Sequence, residues 1–453
     1  MLRANTARLL YNLVARVIPN ILYLVTPPRK EVLNVNKLFV GLDLSLKDYK
    51  VSIIDQNGVE VVKPFSVTND QNGADILIDT ILRCCKALAV DTLFIGLEST
   101  SVYGWHIQHL LADSPQLKPY HPHIICFNPK LIENFKKSLG NLPKNDWVDA
   151  NTIAERLRFG RLPKSCSVDF RYLALQRLTR YRYHLVENLA REKSYYLSNL
   201  FLKFSAICQD KVFSNNFGAS ATELFHEFLT VEDIATRSLD ELIDFIMEHG
   251  KKHFECPQAT AKALKETAAK SYRLNASVDN SLSFVLKSCL ENIKALEKQI
   301  KAVDKAIEKE LPLFKNEFLC LTSVKGIGPV LAAGLISEIG GISRFENDNA
   351  LAKFSGLYWS EYQSGDFTAD DTFIRKTGNH YLRYYFIQAA EQLRKYLPEF
   401  ADYYSRKYNE SKTHHHKRAL VLTARKAVRL VFALLRDEKL YNPSARKGDI
   451  SLN

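Results

Sequence analysis

The sequence predicts an α/β domain over residues 37–165, followed by an almost wholly helical remainder. Three observations predict it. Short apolar β-prone runs alternate with helical periods in the first third, an Asn-Gly turn joins two of those runs, and leucine-rich helical spacing dominates from Tyr172 onward. The first run is Leu38 to Leu42 and the second Lys50 to Asp55. Asn57-Gly58 then turns the chain into Val59 to Val62, with Pro64 closing that strand. A helix around Ala74 to Leu88 follows, then a strand from Thr92 ending at Glu98, a helix around Tyr103 to Ala112 and a strand His123 to Phe127. A further helix opens near Asp146. Three antiparallel strands followed by alternating helices and strands is the order of the ribonuclease-H or RuvC-like fold.

The helical remainder has its own landmarks. Leu173, Leu175, Leu178, Leu185 and Leu189 recur among arginines, and a less regular, locally acidic stretch runs from Ala219 to His249. Leu286, Cys289, Ile293, Leu296, Ile300, Val303 and Ile307 alternate steps of three and four. That seam suits either a coiled coil, which would make the protein at least a dimer, or a long helix packed on its own domain. Pro312 ends the helix. Val324-Lys325-Gly326-Ile327-Gly328-Pro329 then precedes the apolar helix Val330 to Ile339, the pattern of a helix-hairpin-helix element whose free N–H groups can hold a phosphate.

Composition narrows the partners. At 453 residues the chain has room for two or three domains, and 46% hydrophobic residues support real cores. A net charge of +12 and a pI near 9.1 favour a polyanion, nucleic acid first and an acidic membrane surface second. The eight cysteines include no C-x-x-C, so they read as reduced thiols in the cytoplasm. Residues 1–36 form a basic leader without an acid before Glu31, either an amphipathic or targeting segment or an irregular extension. No run is long enough to span a membrane.

Two constellations carry chemistry. Asp43 and Glu98 stand where apolar strands end, and Asp146 and Asp149 share one face of a helix start. Hard carboxylate oxygens so placed suit Mg2+ or Mn2+, although each acid taken singly is also an ordinary turn or cap residue. Farther on, Ser364-Gly365 lies in an aromatic-rich loop near Arg375, Lys376 and Arg383. A serine beside those cations suits attack on a phosphodiester, and the plainer alternative is a turn. From Arg375 to Arg436 fourteen Lys and Arg face four Asp and Glu, with tyrosines among them, a pattern suited to nucleic-acid backbones.

Gly41-Leu42-Asp43-Leu44-Ser45, Gly96-Leu97-Glu98-Ser99-Thr100, Asn128-Pro129, Lys144-Asn145-Asp146 with Asp149-Ala150, Lys325-Gly326-Ile327-Gly328, and Tyr362-Gln363-Ser364-Gly365 with Lys376-Thr377-Gly378-Asn379 occur in that order. As a set they resemble the transposases of the bacterial insertion-sequence one-ten type. The resemblance implies a RuvC-like domain (37–165) holding Mg2+ or Mn2+ through Asp43, Glu98, Asp146 and Asp149. It also implies a helical or coiled-coil region (166–312), a C-terminal transposase domain (313–436) with Ser364 as nucleophile, and a tail (437–453). Lys144, Lys325, Gly326, Gly328, Arg375, Lys376 and Arg383 would contact nucleic acid. The implied partners are double-stranded donor and target DNA, a noncoding bridge RNA, and further copies of the chain, a dimer that becomes a tetramer when active. The implied setting is the bacterial cytoplasm, at the nucleoid. Trp359 stands where the family commonly has proline and Asn145 where it has threonine; neither replaces a reacting group. Two other readings remain open, a junction nuclease without a covalent intermediate and a non-catalytic nucleic-acid-binding descendant.

Overall fold

The structure, a computed structural model, describes residues 36–98, 102–140, 143, 145–162, 169–210, 212–213, 215–227, 230–249, 256–359, 363–364, 367–368, 374, 377–411 and 413–443. The chain divides into two compact units, one ending at Val168 and the other beginning at Asp169.

The first unit is built on a five-stranded mixed sheet. Its strands are β1 (Lys37–Leu44), β2 (Asp48–Asp55), β3 (Glu60–Thr68), β4 (Thr92–Glu98) and β5 (His123–Phe127), in the order β3-β2-β1-β4-β5. β1, β2 and β3 pair antiparallel, whereas β4 and β5 run parallel to β1. Asn57-Gly58 makes the expected turn, with Gly58 at a φ of +85° and its N–H donating to the Asp55 carbonyl. One expectation changes: Pro64 does not close β3 but lies inside it. β3 is the edge strand, where a missing N–H need cost no ladder bond.

Strand alternation assigns the two faces. Leu38, Val40 and Leu42 of β1 and Leu93, Ile95 and Leu97 of β4 point to one core, filled from the helix α1 (Gln71–Ala87) by Leu77, Ile78 and Ile81. α2 (Trp105–Asp113) adds Ile107 and Leu111 to that core. The intervening residues turn to the other face, where Phe39, Ile125 and Phe127 meet Ile132 of α3 (Pro129–Ser138) and Ile153, Ala154 and Leu157 of α4 (Asp146–Phe159). The sequence reading did not mark α3. Its signal is there: Asn128 caps it by accepting from the Lys130 N–H, with Pro129 at the first position.

The second unit starts with α5 (Phe170–Lys203). Five shorter helices follow, α6 (Ser205–Gln209), α7 (Ala219–Glu227), α8 (Val231–Thr236), α9 (Leu239–His249) and α10 (Pro257–Lys270), and then α11 (Ala276–Glu310). α5 and α11 run antiparallel along each other, laced by Arg182–Asp304, Lys193–Glu297 and Lys203–Asp279 ion pairs. The heptad seam is filled within the chain: Leu286, Cys289 and Ile293 join Tyr196, Leu200 and Phe204 of α5, and Val303 and Ile307 join Leu175 and Leu185. Of the two readings of that seam, the geometry is that of a helix packed in its own domain.

After a 3-10 turn containing Pro312 come α12 (Lys315–Thr322), α13 (Pro329–Ile339) and α14 (Asp348–Ser355). A two-strand hairpin, β6 (Gln363–Ser364) with β7 (Phe367–Thr368), precedes α15 (His380–Tyr396), α16 (Pro398–Glu410) and α17 (His415–Asp437). The core they share includes Leu175, Leu185, Val303 and Ile307 from the long helices, so packing does not break at residue 312. Among the described residues no helix is long and apolar enough to cross a membrane.

Candidate functional site

β1 and β4 are parallel neighbours in register, Gly41 opposite Gly96 and Leu42 opposite Leu97, so Asp43 and Glu98 leave the sheet side by side. Both lie on the face that carries α4, because they stand two residues beyond the glycines. The glycines let that helix in. A Cβ at Gly41 would sit 2.0 Å from the Ala150 carbonyl oxygen, and one at Gly96 would sit 2.9 Å from Ile153 Cγ2. With backbone this close, the first turn of α4 brings Asp146 and Asp149 to the carboxyl ends of β1 and β4. Asn145, rather than Asp146, caps the helix by accepting from the Trp147 N–H at 3.0 Å, so both acids occupy the first turn. Asparagine does there what the family's threonine would do. Ser52 Oγ donates to Asn151 Oδ1 at 3.1 Å, tying α4 also to β2.

Burial and mutual repulsion leave their mark on these acids. Burial pushes the Asp43 carboxyl up to about 6, helped by the charges of Asp149 and Asp146. Glu98 rises to about 7, again first through burial and then through Asp43 and Asp149. Asp149 therefore lies near enough to oppose the ionisation of both Asp43 and Glu98, and Asp146 near enough to oppose that of Asp43. Yet among the described residues no three His, Cys, Asp or Glu converge into a finished ligand set. A lysine stands among them instead: Lys136 Nζ, from the last turn of α3, lies 2.5 Å from Asp149 Oδ1. Sequence reading missed Lys136, although it lies in the last turn of a helix announced by Asn128-Pro129.

The second constellation is described in part. Ser364 lies in β6, paired with Phe367 of β7, and Trp359 bridges to Ile374. Lys144, Arg375 and Lys376 lie outside the described residues. The segment beyond the hairpin is firmly anchored. Gly378 has a φ of +120°, its place for a Cβ lies 2.5 Å from the Phe354 carbonyl oxygen, and the Asn379 N–H donates to that same oxygen at 2.7 Å. Asn379 Oδ1 accepts from the Tyr381 and Leu382 N–H groups at the head of α15, while its Nδ2 donates to Glu338 Oε2 at 2.7 Å. Glu338, wholly buried, also receives Arg180 Nε and Nη2 from α5. Glu338 and Arg180 were not marked from sequence, and Glu338 bore a faint signal: an acid in an otherwise apolar helix.

Of the expected nucleic-acid contacts, Lys325, Gly326 and Gly328 form the turn between α12 and α13. Gly326 has a φ of +105°, Ile327 N–H donates to the Val324 carbonyl, and nothing lies within 4 Å of a Cβ at Gly328. Lys325 Nζ stands 5.6 Å from the Tyr396 ring centre. Arg383 turns inward, with Nη1 3.4 Å from the Ser355 carbonyl oxygen. The basic stretch is partly neutralised within the fold. Arg425 and Arg429 pair with Asp348, Arg394 pairs with Glu391 and lies over Tyr404, and Lys426 lies over Phe400 and Tyr403. His415 and His416 make polar contacts to the Tyr408 carbonyl and the Tyr404 hydroxyl.

Comparison with known proteins adds identity. A transposase model matches residues 40–204, and a model of the IS116/IS110/IS902 transposase family matches 319–405. The 44.8 kDa protein of insertion element IS116 from Streptomyces clavuligerus is 22% identical, across 90% of this chain and 97% of its own length. The 42 kDa protein of IS900 from Mycobacterium paratuberculosis is 24% identical across 66% and 73%. Among solved structures, Thermus thermophilus RuvC aligns over 28% of this chain and 99% of its own, at 10% identity and a TM-score of 0.22, too slight a likeness to carry an argument. The two transposase models fall in chain order, and the insertion-element likeness runs nearly end to end: the chain is a transposase, similar to the proteins of the IS116/IS110/IS902 insertion elements.

Proposed function

We propose that this transposase cuts and rejoins donor and target DNA through Ser364, with a divalent cation held by Asp43, Glu98, Asp146 and Asp149. The observation that carries the reading is the gathering of Asp43 and Glu98, both desolvated and facing neighbouring negative charge, with Asp146 and Asp149 at the ends of β1 and β4. That donor set fits Mg2+ or Mn2+, hard ions that take carboxylate oxygens and keep several waters. When bound, such an ion polarises a phosphoryl oxygen and steadies charge on the leaving oxygen.

The remaining steps belong to the chain's own groups. Ser364 Oγ attacks the scissile phosphorus and loses its proton; a P–O bond to the sugar breaks, and the sugar oxygen leaves as a hydroxyl. The product is a phosphoserine joined to one DNA end, which a sugar hydroxyl of the other DNA attacks to restore the phosphodiester and free the serine. Asn379, held by Glu338 and the Phe354 carbonyl, fixes the chain eleven residues past the end of the serine's own hairpin. Lys325, Gly326, Gly328, Arg375, Lys376, Arg383 and Lys144 are assigned to backbone contacts with DNA or with a bridge RNA that selects both sites by base pairing. Assembly as a dimer or tetramer needs a surface other than the α11 seam, since α5 fills it.

The test is an incubation of purified protein, its element-encoded RNA and labelled donor and target DNA with Mg2+, followed by denaturing electrophoresis. A protein–DNA adduct should form in the wild type and vanish in Ser364→Ala. Cleavage that persists in that variant would favour the junction-nuclease reading. Asp43→Asn should abolish cleavage and leave RNA binding intact, and omitting the RNA should remove site selection.

A further inference from the structure

The cation inside the carboxylate cluster is Lys136. Its Nζ lies 2.5 Å from Asp149 Oδ1, with the lysine side chain 19% and the aspartate 29% exposed, so the pair is sheltered rather than superficial. The neighbouring Lys137 behaves as an ordinary surface residue, 69% exposed and paired with Glu133 one turn back on its own helix. Lys136 reaches from α3 to α4, across thirteen residues, and its charge is also felt by Asp43 and Glu98. A divalent ion joining Asp43, Glu98 and Asp149 would approach within a few ångströms of that ammonium. Two cations so close, in a partly desolvated site, repel each other more strongly than they would in bulk water.

We infer that Lys136 competes with the divalent cation for Asp149: its ammonium holds the cluster together in the metal-free protein and is displaced when the ion binds. The inference rests on the metal reading above and concerns how the site is loaded. Lys136 acts as a resident counter-ion, which keeps four neighbouring carboxyls compatible with a folded metal-free chain, and it sets the affinity by having to leave.

Two measurements on the full chain test this. By electron paramagnetic resonance of free Mn2+, Lys136→Gln should bind Mn2+ about tenfold more tightly than the wild type, the gain expected when a sheltered competing charge is removed. Lys136→Arg should stay close to the wild type. An affinity for Lys136→Gln equal to or weaker than the wild type overturns the inference, the weaker case making Lys136 an aid to Asp149. The second measurement needs no variant: acylation of lysines followed by mass spectrometry. Labelling of Lys136 should rise on adding Mg2+ while that of Lys137 stays level, and unchanged labelling of Lys136 at saturating Mg2+ overturns the proposal. Asp43→Asn separates the two readings. Mn2+ binding that this substitution weakens but Lys136→Gln leaves alone sinks the counter-ion inference only, whereas a wild type that binds no Mn2+ sinks the metal reading with it.

Discussion

At the scale of single residues, the site depends on atoms that are missing as much as on those present. Gly41 has no Cβ where one would stand 2.0 Å from the Ala150 oxygen and 2.6 Å from the Ala154 nitrogen. Gly41→Ala should therefore cost about 3 kcal/mol by urea unfolding, the upper end for forced overpacking, and should weaken Mn2+ binding in whatever folds. Gly140→Ala, at a φ of +98° with open space around it, should cost only about 1 kcal/mol for its backbone strain. Asp70 offers a check by pH. It caps α1, accepting from the Gly73 N–H, and that bond first, then Thr68, holds its carboxyl below the usual value of 3.8. A depressed folded value means that the stabilisation is present above about pH 4 and is lost as pH falls through the lower folded value. The gap in melting temperature between the wild type and Asp70→Ala should be full at pH 7 and shrink as pH falls below about 4.

At the scale of elements, buried ion pairs decide which helices meet. Glu338 on α13 is wholly buried and holds Arg180 of α5 and Asn379 at the head of α15. Arg180→Met would leave that carboxylate buried and unmatched, a change worth about 3–5 kcal/mol of stability by chemical denaturation. Arg180→Met combined with Glu338→Leu should recover most of the loss, because the cost lies in the orphaned charge and not in the absence of the pair. At the other end of the long helices Lys203, 1% exposed, meets Asp279 at 2.9 Å and fixes the register of α5 on α11. The seam on α11 illustrates the limit of periodicity. Its steps of three and four predict an apolar stripe, but they do not say whether the facing helix belongs to the same chain.

At the scale of the whole molecule, charge governs what the transposase meets. A net charge of +12 makes its DNA affinity salt-dependent: between 50 and 200 mM salt, binding to an unrelated duplex should fall by at least a hundredfold. Lys325→Gln should lower the slope of log K against log salt by about one unit if that lysine meets a phosphate. Filter binding across a salt series checks both. Much of the positive stretch from Arg375 to Arg436 will contribute less than its count suggests, because Arg394, Arg425 and Arg429 are already paired.

The sequence by itself determined the succession of strands along the first unit, because alternation and the Asn-Gly turn are local properties of consecutive residues. It also singled out the four acids proposed to hold the metal, since Asp43 and Glu98 stand at the ends of apolar runs and Asp146 and Asp149 at a helix start. Only the tertiary structure decided what accompanies them. Lys136 lies thirteen residues before Asp149, and Glu338 lies 158 residues beyond Arg180, separations over which no periodicity carries information. The carboxylate set is written in the chain because each member sits at the end of its own element. Its counter-ion is not, because an ion pair across two helices exists only once the sheet has placed both of them.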